Sequence, residues 1–411
     1  MDDYGSFASK LTQTGILSDP WIDGRPRFRV EPIVLSAETH RTLSGAAEQI
    51  CAVYNQVALL CHADPALRER FFTLTPFQAL MWDESAPEWH GIARADVFLT
   101  TEGPKICELN CDTPSGEAEA VLLGGTAHAM RPWLEDPSAL LRERLCTLIS
   151  EVAQRPTPIT VGIIYPTELV EDLSMILLYW RWFEARGFRV VVGSPFNLTR
   201  TLGRPGLFGV PCDVFVRHYK TDWWSEREPS RDDEDAFDDV APLQRELEIL
   251  LEGVRSGSCA VVNPFGSVLT QNKRAMALMW EAMDRFPVWA ADAIRRYIPY
   301  TVRLETAAPE VLANRADWVL KSDYGCESAE VLIGAACSEE IWQSAILHAV
   351  KGRWIAQRRF IPLCDEEGLT TNFGVYLVGG VTSGYFARVH SGMTDYASTT
   401  AAVLIRGEDH E

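Results

Sequence analysis

Apolar and polar residues recur along the chain with two periods, one typical of helices and one typical of strands. Residues 36–63 carry apolar side chains at helical spacing behind polar capping residues, which predicts one long helix or two shorter ones. Residues 92–110 have the strand period on both sides of a three-residue loop, 101–103, that ends in glycine. This loop length predicts a β-hairpin in which Thr100 faces Pro104.

The middle of the chain carries a strand-helix-strand pattern. Residues 159–164 predict a short buried strand, and residues 188–193 predict the next one. Between them, Thr167 can cap a helix that runs to about Arg186. Because a helix that joins two strands leaves them parallel in one sheet, we expect a parallel sheet here. Residues 213–224 predict a further strand that ends in an aromatic cluster.

The C-terminal part predicts an antiparallel unit of strands and helices. A turn rich in proline and glycine precedes a helix whose start holds Lys273. A strand that ends at Lys321 follows, and a glycine-containing loop at 321–328 leads into its return strand. The last strong pattern is a hairpin around Gly379-Gly380. The fold class predicted by the whole pattern is α/β with an α+β part.

The hairpin at 92–110 places four hydrophilic side chains on one face, because Asp96 faces Glu108 and Arg94 faces Asn110. Two carboxylates directly opposite each other destabilise a strand pair unless a positive charge lies between them. Oxygen donors such as these are the ligands that Mg²⁺ takes. The stretch therefore predicts a magnesium site with an arginine beside it, and a hairpin with one solvated polar face is the alternative that these residues leave open.

Composition and charge restrict the classes of protein. A chain of 411 residues with 47% hydrophobic content can bury a substantial core and hold two or three subdomains. Its formal charge of -19 disfavours nucleic acid and anionic membrane as partners. The 10 cysteines have no paired metal-ligand spacing, and we see no signal peptide or long apolar run, so we expect a reduced, cytoplasmic protein. Residues 226–239 are acidic and predict a solvated loop or lid.

Two further features predict contacts with anions. The turn Thr113-Pro114-Ser115 leads into a helix expected from Glu117, which places hydroxyls and backbone N–H groups beside the proposed metal. Lys321 stands at a strand end before a flexible loop, where an ammonium and backbone N–H groups neutralise phosphate oxygens. Taken alone, a lysine at this position or at Lys273 is more often a surface charge.

Taken together, six stretches in the same order resemble the synthetase domain of glutathionylspermidine synthase and its stand-alone relatives. They are R-A-D with E-L-N-C-D-T-P-S at 94–115, the acidic pair Glu171-Asp172, the strand with an aromatic end at 213–224, N-P-x-x-S-x-x-x-x-N-K at 263–273, Y-I-P-Y-T at 297–301, and K-x-x-x-G at 321–325. The resemblance covers about residues 30 to 405. It implies a circularly permuted ATP-grasp fold, with a parallel-sheet subdomain similar to a pre-ATP-grasp domain, and an ATP-dependent carboxylate-amine ligase.

The resemblance also implies roles for individual residues. Asp96, Glu108 and Asn110 would hold Mg²⁺, and Arg94 would steady the reacting carboxylate and its phosphorylated intermediate. The ATP-binding set would be Lys273, Lys321, Gly325 and Gln357. Thr113, Ser115 and Arg388 would line the pocket for the acid substrate, and Glu171 and Asp172 would lie near the incoming amine. An acidic capping pair at 171–172, a polar strand edge at Gln357 and a surface cation at Arg388 are the alternatives.

The same comparison divides the chain into four units. We expect an N-terminal helical segment at 1–90, the metal-site hairpin and its helix at 91–158, an α/β substrate-binding subdomain at 159–260, and a nucleotide-binding part at 261–411. Because the resemblance begins almost at the N-terminus, no amidase domain is expected before it.

Departures from the family limit the substrate prediction. Polyamine-using relatives carry Pro directly after the lysine that matches Lys321, where this chain has Ser322. Further along the glycine loop they carry Arg-Glu-Gly, where this chain has Cys326-Glu327-Ser328. An acidic or amide residue near the C-terminus is replaced by Ser398-Thr399-Thr400-Ala401. The acid is thus expected to be an amino acid or short peptide, and the amine a polyamine or amino acid. A phosphotransferase on the same fold and a catalytically silent ATP-binding protein are the alternatives, and the oligomeric state, including a homo-oligomer, stays open.

Overall fold

The computed structural model describes residues 3–156, 158–167, 172–224, 243–325, 331–349, 353–392 and 398–407. Helices account for much of the N-terminal half and separate the strands elsewhere. They are α1 (Asp3–Thr12), α2 (Ala37–Ala63), α3 (Pro65–Phe72), α4 (Pro76–Ser85), α5 (Glu117–Met130), α6 (Leu141–Ala153), α7 (Leu173–Arg186), α8 (Gln244–Arg255), α9 (Ser267–Thr270), α10 (Arg274–Glu281), α11 (Val288–Tyr297), α12 (Leu304–Ala313) and α13 (Glu339–Ala349).

Two antiparallel sheets dominate the part of the chain that holds the candidate site. A five-stranded sheet has the order β20-β19-β18-β4-β5, and its strands are β4 (Ile92–Thr100), β5 (Gly103–Asn110), β18 (Thr370–Val378), β19 (Val381–His390) and β20 (Thr399–Ala401). A four-stranded sheet has the order β14-β17-β15-β16, with β14 (Thr301–Arg303), β15 (Trp318–Ser322), β16 (Val331–Ile333) and β17 (Trp354–Arg358). The first sheet therefore combines strands from near residue 100 with strands from near residue 380.

The third large sheet is parallel, as the strand-helix-strand pattern predicts. Its order is β13-β12-β7-β8, with β7 (Thr160–Ile164), β8 (Arg189–Gly193), β12 (Val214–Arg217) and β13 (Ala260–Val262). Three small sheets complete the fold: β1 (Trp21–Ile22) with β2 (Arg25–Pro26); β9 (Leu198–Thr201), β10 (Arg204–Leu207) and β11 (Val210–Pro211); and β3 (Ile33–Ser36), β6 (Leu134–Glu135) and β21 (Val403–Arg406).

The long apolar pattern near the N-terminus is one helix and not two. α2 runs unbroken for 27 residues, and the hydroxyl of Ser36 caps it by accepting a hydrogen bond from the backbone N–H of Thr39. Its buried face, which includes Ile50, Tyr54 and Val57, belongs to the largest core cluster together with residues of the five-stranded sheet. α2 thus packs behind the sheet and leaves the other face of the sheet for the candidate site.

Some sequence-based expectations differ from the structure or lie outside it. The helix of the strand-helix-strand unit begins at Leu173 with Asp172 as its N-cap residue, so the prediction that it starts from a cap at Thr167 was wrong. Glu171, the acidic loop at 226–239 and residues 326–328 of the glycine loop lie outside the described residues. In the part of the chain that is described, none of the helices has the length and apolar character needed to span a bilayer.

Candidate active site

A cavity of about 490 Å³ lies between the five-stranded sheet and the four-stranded antiparallel sheet. Eleven of the predicted site residues line it, although they come from widely separated parts of the chain. They are Arg94, Asp96, Glu108, Asn110, Thr113, Ser115, Asp172, Lys321, Gly325, Gln357 and Arg388. Lys273 reaches the same region, since its Nζ lies 3.7 Å from Oε2 of Glu108. Of the predicted set, only Glu171 falls outside the described residues.

The register of the hairpin brings the predicted metal ligands together. Asp96 pairs with Glu108 and Arg94 pairs with Asn110, as the alternation predicts. The pairing at the tip was predicted wrongly, because Thr100 faces Gly103 and not Pro104. A β-bulge after Asp96 absorbs the one-residue difference by leaving Cys107 without a partner in the ladder. Cys107 consequently lines the cavity.

Two arginines hold Asp96 at the centre of the site. Nε of Arg94 donates to Oδ1 of Asp96 at 2.8 Å, and Nη2 of Arg388 donates to Oδ2 at 3.2 Å. Arg94 can lie flat across the sheet because the strand beside it carries Gly374, where a Cβ would stand 2.7 Å from Cδ of the arginine. Both guanidinium groups contact the ring of Phe386, at 5.6 and 5.9 Å from its centroid. The carboxylate therefore positions two cations that face the cavity.

Glu108 is held ionised by lysines that approach from two other elements. Burial raises the pKa of Glu108, but the charges of Lys273, Lys321 and Arg94 outweigh it and lower the pKa to about 2. Lys273 donates from Nζ to the carbonyl oxygen of Gly325 at 2.5 Å, and Lys321 donates to the carbonyl oxygen of Cys107 at 3.1 Å. The positive charge is thus concentrated where the loop after β15 meets the hairpin.

The donors present fit a small divalent cation. Two carboxylates and the amide of Asn110 face one cavity, and the amide nitrogen lies 3.3 Å from Oε1 of Glu108. This oxygen-rich set, with its two carboxylates opposite each other in register, has the chemistry that Mg²⁺ takes. Across the described ranges no cluster of three or more His, Cys, Asp and Glu side chains forms an alternative metal site.

The predicted nucleotide residues lie at the four-stranded sheet. Gln357 is buried on β17 and donates from Nε2 to the hydroxyl of Thr301 on the neighbouring strand at 3.1 Å. Val319 and Ile333 line the cavity beside it and provide an apolar wall. The motif Y-I-P-Y-T therefore supplies the hydroxyl that orients the glutamine amide. Gly325 is the last described residue before 331.

The turn after the hairpin fixes the predicted acid-binding residues. Thr113 and Ser115 line the cavity, and the carbonyl oxygen of Ser115 accepts hydrogen bonds from Nη1 of Arg94 at 2.8 Å and from the hydroxyl of Tyr376 at 2.6 Å. Gly116 follows with φ +92°, and a Cβ there would meet the Tyr376 hydroxyl at 2.9 Å. Glycine is thus needed at this position for the chain to pass from Ser115, whose carbonyl oxygen binds Arg94, into α5.

A buried ion pair that the sequence reasoning missed anchors this turn. Oδ1 of Asp112 accepts from Arg217 at 2.5 Å and from Ser267 at 2.7 Å, and Oδ2 accepts from the backbone N–H of Thr221 at 2.8 Å. Arg217, whose side chain is fully buried, ends β12 of the parallel sheet. The only available signal was an acidic residue inside the E-L-N-C-D-T-P-S stretch, and nothing in the sequence identified arginine as its partner.

Three more polar residues missed by the sequence reasoning follow the same strand. His218 lies 2.7 Å from Asp172, measured from Nε2 to Oδ2, while Lys220 and Asp222 line the cavity. Ligands of parallel sheets bind beyond the carboxyl ends of the strands. The polar run H-Y-K-T-D directly after a buried strand is the feature of the sequence that indicates these residues. The strand end was instead predicted only as an aromatic cluster.

Comparison with known proteins identifies the fold. No protein-family model matches the sequence, and no curated protein matches it. A glutathione synthetase-like effector from Globodera pallida, solved in its apo form, has a TM-score of 0.58 at 11% identity, with 96% of this chain and 94% of that chain covered. At this identity the likeness shows a shared fold. It confirms the α/β ATP-grasp class predicted from the sequence, and the circular permutation stays a prediction.

Two further solved structures are more distant. A Methylobacillus flagellatus protein, named as a gamma-glutamylcysteine synthetase, has a TM-score of 0.48 at 13% identity, with 90% of this chain and 87% of that chain covered. A RimK-domain ATP-grasp protein from Sphaerobacter thermophilus has a TM-score of 0.31 at 15% identity, with coverage of 60% and 91%. Both are too distant to support an argument. None of the three is named as a glutathionylspermidine synthase, so that narrower resemblance also stays a prediction.

Proposed function

We propose that the protein is an ATP-dependent carboxylate-amine ligase that forms an amide through an acyl phosphate. The observation that supports this most is the row of Arg94, Asp96 and Glu108 facing Lys273 and Lys321 across one cavity. Such an arrangement offers oxygen donors for a cation and several cations for phosphate and carboxylate oxygens. The shared fold with a protein named as glutathione synthetase-like agrees with a ligase.

The roles of the residues follow from charge. Asp96, Glu108 and Asn110 would hold Mg²⁺, which supplies positive charge to the phosphate oxygens of ATP when it is bound. Lys273 and Lys321 would bind the same phosphates, and Gln357 would contact the edge of the adenine. The loop that contains Gly325 would cover the phosphates and exclude water from the acyl phosphate.

Bond formation takes place at the other end of the cavity. Arg94 and Arg388 would orient the substrate carboxylate, and the γ-phosphoryl group of ATP passes to one of its oxygens. An amine then attacks the carbonyl carbon, and phosphate leaves. Arg94, fixed by Asp96 and by the carbonyl oxygen of Ser115, stabilises the oxyanion of the tetrahedral adduct. Thr113 would contact the acid substrate beside Arg94.

We extend the proposal to the acid substrate, the partners and the location of the protein. The acid would be an amino acid or short peptide, as in a glutathionylspermidine synthase-like enzyme, and neither nucleic acid nor membrane is expected as a partner. All nine cysteines among the described residues are unpaired, which agrees with a reducing, cytoplasmic location.

The test is ADP release with Mg-ATP and pooled amino acids and small peptides, with and without pooled amines, while product masses are measured in parallel. A ligase releases ADP only with acid and amine together, and its product has their summed mass less water. Because amino acids are amines as well as acids, the product mass decides: ADP release with a phosphorylated product, and with no product of summed mass less water, would favour a phosphotransferase. ATP binding with no ADP release under any condition would favour a silent nucleotide-binding protein.

A further inference from the structure

The wall of the cavity at the carboxyl end of the parallel sheet carries a histidine-carboxylate pair. Oδ2 of Asp172 lies 2.7 Å from Nε2 of His218, and the two side chains are 36% and 7% exposed, respectively. The carboxylate therefore faces the cavity, while the imidazole stands behind it and fixes its orientation. Although burial raises the pKa of Asp172, the hydrogen bond from His218 and the charges of His218, Lys220 and Arg94 lower it. The carboxylate is accordingly ionised and suited to an ammonium group.

A cation lies beside this carboxylate. Lys220 lines the cavity two residues after His218, and its Nζ stands 4.8 Å from the centroid of the Trp223 ring. It acts electrostatically on Asp172 and on Asp222, which is on the same wall. The two carboxylates of this wall therefore share one fixed positive charge.

The mixture of charges discriminates between classes of amine. A polyamine brings several ammonium groups, and Lys220 repels any of them that does not reach a carboxylate. An amino acid brings one ammonium and one carboxylate, which Asp172 and Lys220 complement in turn. The charge of Asp172 also raises the pKa of Glu117 and Glu119 of α5, but both are buried behind the cavity wall, and Glu119 is paired with Arg27. They offer no accessible partner for a second ammonium, and the carboxylate of Asp222 on the same wall is shared with Lys220, while burial raises its pKa to about 6.

We propose that this wall selects an amino acid as the attacking amine. The proposal rests on the ligase function proposed above and specifies its second substrate. Asp172 binds and orients the ammonium, which loses one proton to water, and the nitrogen then has a lone pair for attack on the carbonyl carbon of the acyl phosphate. The nitrogen-carbon bond forms, the carbon-oxygen bond to phosphate breaks with its electron pair leaving on phosphate, and a second proton passes from nitrogen to water. His218 acts as a positioning residue, and Lys220 binds the carboxylate of the amino acid.

The experiment separates activation of the acid from use of the amine. Hydroxylamine is largely uncharged at neutral pH and captures an acyl phosphate as a hydroxamate, so it needs no ammonium subsite. Pooled acids with Mg-ATP and hydroxylamine first identify the activated acid by mass. With that acid, kcat/KM is then measured for each L-amino acid, for its amide, and for putrescine and spermidine.

We expect the best amino acid to exceed its own amide by about tenfold or more, the usual effect of a charge-assisted contact, and to exceed both polyamines. Lys220→Met should reduce the ratio of amino acid to amide to near unity, whereas Lys10→Met, at an exposed position of α1, should leave it unchanged. His218→Leu should raise KM for the amine about tenfold with hydroxamate formation intact, and His218→Gln, which retains an N–H donor, should restore most of the affinity.

The outcomes distinguish the two proposals. Equal use of the amide, preferred use of a polyamine, or an unchanged ratio in Lys220→Met would overturn the amino-acid subsite while leaving the ligase in place. Absence of hydroxamate with every acid, in a protein that folds and binds ATP, would overturn the ligase itself and the subsite with it.

Discussion

Gly374 is the position where the smallest change should damage the site most selectively. It lies on β18 between Asp96 of β4 and Phe386 of β19, and Arg94 crosses directly over it. In Gly374→Ala, the new Cβ would stand 2.7 Å from Cδ of Arg94, whereas ordinary contacts begin near 3.4 Å. The side chain of Arg94 must therefore move by about 0.7 Å, because the strand on which Gly374 lies is held by ladders on both sides.

The magnitude follows from what this displacement disturbs. Arg94 is bound at 2.8 Å both to Asp96 and to the carbonyl oxygen of Ser115, so a shift of this size breaks or lengthens at least one of the two hydrogen bonds. Misplacement of a reacting group by about 1 Å costs about a hundredfold in rate. We therefore expect kcat/KM to fall about ten- to a hundredfold, equivalent to about 1.4 to 2.7 kcal/mol. Overpacking should lower the free energy of unfolding by about 1 to 3 kcal/mol, which leaves the protein folded.

The assay is hydroxamate formation with the activated acid, together with urea unfolding of the same preparations. Gly125→Ala is the matched control, because Gly125 is an exposed position of α5 with open space around its Cβ. That variant should keep full activity and gain up to about 1 kcal/mol in the free energy of unfolding. If Gly374→Ala retained the activity of the unchanged protein within twofold, the assigned role of the orientation of Arg94 would be refuted.

Four further predictions concern charged groups of the site and its support. Glu108→Gln should abolish turnover, because it removes the charge of a proposed metal ligand with little change of shape, and turnover near normal would exclude that assignment. The variant should still fold, with a lower unfolding midpoint in urea, because the buried Lys273 and Lys321 lose the carboxylate that they hold ionised. Lys321→Ala should raise KM for ATP and lower kcat, since an ammonium facing the phosphates is lost, and unchanged values for both would contradict its role. Asp112→Asn should lower the free energy of unfolding by about 3 to 5 kcal/mol in urea titrations, because it leaves the buried guanidinium of Arg217 without its counter-charge. A loss below about 1 kcal/mol would contradict the structural role of this ion pair. Burial raises the pKa of Glu117 from 4.5 to about 8, so between these two pH values the folded protein keeps a proton that the unfolded chain has lost. The free energy of unfolding should therefore decline as the pH rises from 4.5 to about 8. Glu117→Gln should flatten this decline, and identical pH profiles for the variant and the unchanged protein would contradict the assignment.

The elements with strong periodicity were predictable from the sequence. The hairpin at 92–110, the strand-helix-strand unit and the hairpin around Gly379-Gly380 all occur, because alternation with period two or 3.6 determines which face is buried. The face of the hairpin that carries Asp96 and Glu108 was also predictable, even though the pairing at its tip was not. A bulge at Cys107 brings Asp96 and Glu108 back into the predicted register. No local sequence pattern predicts an unpaired residue of this kind.

What the sequence could not provide is which distant residues meet. Arg388 contacts Asp96 only because β18 inserts between β19 and β4, a strand order that periodicity does not encode. The partnership of Asp112 with Arg217 likewise depends on the hairpin and the parallel sheet lying side by side. His218 could not be assigned from the sequence, because its carboxylate partner Asp172 lies 46 residues earlier in the chain and the polar residues after β12 stand among aromatic ones. Long-range pairing of charges is thus the part of this site that required the structure.

The central claim is that the site activates a carboxylate by transferring phosphate to it. It is tested most directly with the acid substrate labelled with ¹⁸O in its carboxyl group, by measuring the mass of the phosphate released during turnover. An acyl phosphate places one of the two carboxyl oxygens on the departing phosphate, so the account predicts phosphate that carries one ¹⁸O atom. Unlabelled phosphate, formed at the same rate as the product amide, would contradict it.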